Sequence, residues 1–190
     1  MAKESACTVK TKKKMAAALK RLMVDNAFEK ITVSEITDAC QLHRQTFYYH
    51  FQDRYELLDW LLYNELIEPF VTDISLDNIY SHFYQLLDTM YRDKQFYQNA
   101  LKINMSDLIN YISGVSKTQF TLVISQLRQE HDLLSSSEAD MVFGEFFGYG
   151  LAGVVLNWVQ GGMEETPDKM AMKVRMISEM CKEIEARRDK

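Results

Sequence analysis

The chain has 190 residues, 47% of them hydrophobic, with 7 Gly and 2 Pro, which is material for one large or two small cores and little of the turn chemistry of β-rich folds. Cys7, Cys40 and Cys181 lie far apart with no CxxC pair, which argues against a disulfide framework and a cysteine zinc site. The net charge of −5 is the sum of +4 in residues 1–50, with nine Lys/Arg against five Asp/Glu, and −9 in residues 51–190, with thirteen against twenty-two, the balance of a nucleic-acid-binding head on an acidic body.

Residues Met1 to Met15 carry five lysines and no apolar run, so no secretory signal is expected and a cytoplasmic location fits. From Thr8 to about Asp25, Met15, Ala18, Leu19, Leu22 and Met23 recur at helical spacing. The start of this helix is basic, and cations there oppose the macrodipole, so Lys12 and Lys13 are expected to meet an external anion such as phosphate. Phe28 and Ile31 follow as apolar anchors, and Thr32 with Glu35 has the T-x-x-E spacing of a capping box that opens a second, short helix ending near Cys40. Gln41 and Leu42 leave room for a tight turn before a third helix from His43 or Arg44 to His50. Asp53 and Glu56 repeat the cap spacing and open a fourth, with Leu57, Leu58, Leu61, Leu62 and Leu66 on its apolar side and Pro69 expected to close it.

Beyond Val71, helices are predicted at about 76–91, 94–103, 105–130, 137–160 and 167–187. Thr166-Pro167 suits a helix start, and Gly161-Gly162 a helix stop. The chain is thus predicted to be all-α, with about nine helices. An N-terminal three-helix helix-turn-helix domain occupies residues 1–52, a connector helix 53–69, and a helical bundle 70–190. Met141 to Val159 approaches the length of a membrane span, but four glycines, Glu145 and Asn157 lower its apolarity and no basic flank follows, so no membrane is expected. It reads better as a buried interface helix.

Two short helices around a tight turn, behind a packing helix, are the parts that set a recognition helix in the major groove. Phe47 and Phe51 are spaced to pack inward, leaving Gln45, Tyr48 and Tyr49 to face out. The run Thr46-Phe47-Tyr48-Tyr49-His50-Phe51, followed by Asp53-Arg54-Tyr55-Glu56-Leu57, resembles the DNA-binding signature of the TetR family of regulators over about residues 8–66. Arg44 to Tyr48, with Leu57 and Trp60, further resembles the subgroup containing activators of dihydroxyacetone-kinase operons.

That resemblance implies that Arg44, Gln45 and Thr46 meet base edges, where Arg suits guanine, Gln adenine and the Thr methyl thymine. It also implies that Tyr48, Tyr49 and His50 contact backbone or groove and that Arg54 grips a phosphate. Thr32 and Ser34 can clamp another phosphate at a helix end. Gln41 stands where the family often has glycine, so a left-handed backbone there would carry strain of roughly 1–2 kcal/mol. His43 replaces the common serine, which weakens the N-cap and leaves the side chain available for DNA.

The later aromatics are mostly core material, although in the family this half holds an effector pocket. Gly144, Gly148 and Ala152 mark a small-residue face and, with Leu156, are expected to form the subunit contact of a homodimer. The reading is a double-stranded-operator-binding regulator, a repressor by family frequency, controlled by a small-molecule effector. An activator working with a protein co-activator is one alternative, and a helical adaptor without DNA binding is another. No enzyme motif is present, and no cofactor or metal is expected.

Overall fold

A computed structural model describes residues 5–71, 78–103 and 137–176, and residues 113, 114, 117, 118, 120–122 and 125 between them. All regular structure among the described residues is helical. The chain divides into two compact units, Met1–Leu66 with Gln95–Asn104, and Ile67–Lys94 with Met105–Lys190. The first compact unit therefore runs past residue 52 through most of the expected connector and also takes in a segment from the later chain.

In the first unit, α1 spans Ala6–Asp25. It starts two residues earlier than the apolar spacing suggests because Ser5 caps it, its hydroxyl accepting from the Thr8 N–H. Met15, Ala18, Leu19 and Met23 form its buried stripe. A 3-10 turn, Phe28–Lys30, leads to α2, Val33–Ala39. There Thr32 and Glu35 make the expected capping box: the Glu35 carboxylate accepts from the Thr32 N–H at 2.7 Å, and the Thr32 hydroxyl accepts from the Glu35 N–H at 3.2 Å. The recognition helix α3 is Arg44–His50, and no side chain caps its His43 end.

Asp53 caps α4, Arg54–Leu62, by accepting from the N–H groups of Tyr55 and Glu56. Pro69 does not close this helix. The winding passes into a π turn at Tyr63–Ile67 and then into α5, Glu68–Val71, so the proline lies within helical winding, just after the π turn that interrupts the regular α hydrogen-bond ladder. The remaining element of the first unit is most of α7, Lys94–Ile103, as predicted.

The second unit holds α5, together with α6, Ile79–Arg92, and α8, Ser137–Gln160. Helical residues between 113 and 125, and helical residues 167–176, complete it, while the rest of the helices expected at 105–130 and 167–187 lies outside the described residues. Helix α8 ends as its glycines predict: Gly162 is left-handed at φ 84°, and the Met163 N–H donates back to Trp158 O. Among the described residues it alone is long and apolar enough, over Glu138–Gln160, to cross a membrane by length and composition, a test that interface helices also pass.

The face of α8 expected to meet a second copy packs closely within the chain. A Cβ at Gly144 would stand 2.2 Å from Thr121 Oγ1 and 2.7 Å from Lys117 O, and one at Gly148 would stand 2.8 Å from Lys117 N and from Ser113 O. Ala152 and Leu156 are buried in the same chain. The small-residue face is consumed by close helix packing within the subunit, which the spacing alone could not distinguish from packing against a second copy.

Candidate nucleic-acid interface

Helix α3 is anchored through Phe47, which is fully buried and contacts the Phe51 ring at a centroid separation of 5.9 Å. With that side inward, the helical repeat turns Arg44, Gln45, Tyr48 and Tyr49 to solvent, and Tyr49 is 82% exposed. Thr46 and His50 are half-buried on the flanks, and His43 is exposed at the helix start. A Tyr48 ring at 5.6 Å from Phe47 and a His50 ring at 4.9 Å from Tyr49 stiffen this surface. Arg44 reaches along the helix to the Tyr48 hydroxyl at 3.5 Å.

Gln41 adopts the left-handed backbone its position requires, φ 56°. This turn fixes α3 against α2. A concavity of about 320 Å³ opens between them, walled by Thr32, Ser34, Arg44, Tyr48, Arg54 and Tyr55, with the α4 cap Asp53 also at its wall. Five of the residues singled out from sequence thus meet around one hollow, wide enough for a phosphate group and offering hydroxyl and guanidinium donors. Tyr55 is the member sequence reasoning missed, although it lies inside the D-R-Y-E segment; it is exposed, and its ring stands 4.9 Å from Phe28.

Gln45, Tyr49 and His43 do not line that hollow and belong to the exposed outer surface of α3 and its start. The two lysines of α1 differ. Lys13 is exposed, whereas the Lys12 ammonium lies over the rings of Phe51 and Trp60, at 5.3 and 5.7 Å. Arg54 lines the hollow and also turns inward: its Nη1 donates to main-chain carbonyls of Phe28, Glu29 and Ile31. Among the described residues, no group of His, Cys, Asp and Glu is arranged to hold a metal ion.

A separate polar node ties the unit together behind this surface. Glu65, in the π turn, accepts from Lys20 of α1 at 2.5 Å and from the Tyr97 hydroxyl of α7 at 2.6 Å. Asn99 of α7 donates to Met23 O at 2.8 Å near the end of α1. The bonded residues are 32 to 76 positions apart in sequence, and no local spacing signals the contacts.

Comparison with known proteins agrees with this arrangement. Residues 16–61 match the profile described as bacterial regulatory proteins, tetR family, and residues 77–180 match a transcriptional regulator C-terminal region of that family. The chain is 45% identical over 58 residues to the HTH-type dhaKLM operon transcriptional activator DhaS of Lactococcus lactis subsp. lactis strain IL1403, a match spanning 30% of this chain and 31% of that protein. The solved structure of a dihydroxyacetone kinase operon activator DhaS superposes with a TM-score of 0.75 at 24% identity, covering 89% of this chain and 94% of that one. NalD, the secondary repressor of the MexAB-OprM multidrug efflux pump in Pseudomonas aeruginosa, gives 0.55 at 13% identity, covering 87% and 93%. At these identities the structural likeness is one of fold. The C-terminal profile alone spans more than half of the sequence, and with the N-terminal match it establishes that the chain belongs to the TetR family of transcriptional regulators.

Proposed function

We propose that two copies of this chain bind a double-stranded operator through paired α3 helices, in the cytoplasm, and that an effector acting on the second unit sets their affinity for it. The observation that carries the reading is the outward set Arg44, Gln45, Tyr48 and Tyr49 on a helix held by buried Phe47. Arg44, Gln45 and Thr46 read base edges; Tyr48, Tyr49, His50 and His43 contact groove and backbone; Thr32, Ser34 and Lys13 hold phosphates. Lys12 supports the Phe51 end of α3 and adds positive potential. One seven-residue helix reads few bases, so a second copy is needed, with half-sites about 34–36 Å apart per helical turn.

With the glycine face used internally, the second copy is assigned to the opposite side of α8. Val142, Phe146 and Tyr149 are exposed there, and open space surrounds Gly150 and Gly153. The direct test is to select duplexes from a random-sequence pool with the purified chain and titrate the winner across salt. A shared two-fold sequence and a steep salt slope are expected; absence of any selected sequence refutes operator binding.

Repression by occupancy of a promoter is the first reading of direction. Activation with a protein co-activator is the second, favoured by the likeness to a protein described as an operon activator. Transcription in vitro from a promoter carrying the selected site, with and without the chain, separates them by the sign of the change.

A further inference from the structure

Arg54 is the first residue of α4, where a cation opposes the helix dipole and gains most from an outside anion. One terminal nitrogen of its guanidinium is nevertheless committed within the unit. Nη1 lies 3.1 Å from Phe28 O and 3.0 Å from Glu29 O, and also donates to Ile31 O. The group stacks at 5.0 Å from the Phe28 ring and 5.6 Å from the Tyr55 ring. All three carbonyls belong to the one turn that ends immediately before the Thr32 cap of α2.

We propose that Arg54 is a positioning residue for DNA reading, a strap that binds the start of α4 to the Phe28–Ile31 turn. Its charge is used mainly on carbonyl oxygens. Through that turn it sets where Thr32 and Ser34 stand opposite Arg44 and Tyr48 across the hollow between α2 and α3. A planar fork does this because it can stack on rings while its in-plane N–H groups reach carbonyls; a lysine ammonium supplies the same charge without the plane. The inference rests on the operator-binding reading for its consequence, but its structural half can be measured without DNA.

The test uses the full chain, with Arg54→Lys and Arg54→Ala, each checked for native helicity by circular dichroism. The DNA probe is the duplex selected from the random pool by the wild-type protein. Both variants are expected to bind about tenfold more weakly at every salt concentration, with the logarithmic salt slope unchanged. Without DNA, amide exchange at Glu29, Lys30 and Ile31 is expected to speed up in Arg54→Lys. The inference is overturned if Arg54→Lys binds like wild type, if Arg54→Ala flattens the slope by about 1.8 for two lost phosphate contacts per dimer, or if amide exchange in the turn is unchanged. Failure of the wild-type protein to select any duplex would count against operator binding instead, and the exchange measurement would still decide the strap.

Discussion

Gln41 holds its left-handed φ of 56° between two hydrogen bonds that close α2, from its own N–H to Asp38 O at 3.2 Å and from the Leu42 N–H to Thr37 O at 2.9 Å. That pairing is a Schellman ending, which glycine fills without a Cβ clash. Gln41→Gly is expected to stabilise the first unit by about 0.5–1 kcal/mol, the relief of left-handed strain less the extra chain entropy of glycine; a higher urea midpoint checks it, and a lower one would mean that the glutamine side chain compensates. Arg44→Ala, by contrast, should cost about 1–3 kcal/mol of operator affinity and relax preference at one base pair, read by repeating the selection with the variant. Residue identity made both positions legible, because a φ requirement and a donor set are local properties. Arg54 and Lys12 were less legible: sequence shows their charge, but only packing shows that one long side chain lies on carbonyls and the other on aromatic rings.

At the scale of elements, the caps carry the helix-turn-helix and were readable because each spans three residues. Thr32→Ala removes one side of the capping box and should cost about 1 kcal/mol, measured by denaturation of the full chain. Its partner adds a pH dependence. Hydrogen bonds from the Thr32 N–H and then the Thr32 hydroxyl hold the Glu35 carboxyl below its ordinary value of 4.5. A carboxyl lowered in the fold contributes stability above that ordinary value and loses it as pH falls through the lower folded one. Stability of the first unit should therefore fall on acidification, and Glu35→Gln should flatten that part of the curve; an unchanged acid limb would show that other carboxylates dominate. Pro69 does not end the winding because the π turn before it shifts the hydrogen-bond ladder that a proline would otherwise break, and that π turn was invisible in the apolar spacing. The Lys20–Glu65–Tyr97 node was equally unreadable, since it joins three elements whose neighbourhood only the fold creates.

At the scale of the whole molecule, the helical class and the reading head were legible from periodicity and one motif, but the small-residue face of α8 expected to meet a second copy packs against the chain itself. A small-residue stripe reports that something approaches closely without saying which chain supplies it. In α8 the approaching backbone is the chain's own, at Ser113 and Lys117. What remains exposed includes Met141, Val142, Tyr149, Val154 and Phe146, the last 76% exposed, with ring contacts joining it through Phe147 to Phe143 and Phe120. Exposed aromatic area of this kind is costly in a lone subunit and typical of an interface core. Phe146→Glu should therefore leave each subunit folded, because the side chain supports little of its own unit, yet separate the pair by placing a charge where two copies meet. Sedimentation of the variant should report a monomer, and its operator affinity should drop by more than about a hundredfold as the second reading head loses its effective concentration. Gly144→Ala provides the contrast: its added methyl meets Thr121 and Lys117 within one chain, so it should lower the unfolding midpoint of the second unit. A Phe146→Glu protein that stays dimeric and binds its site as before would remove this face of α8 from the interface.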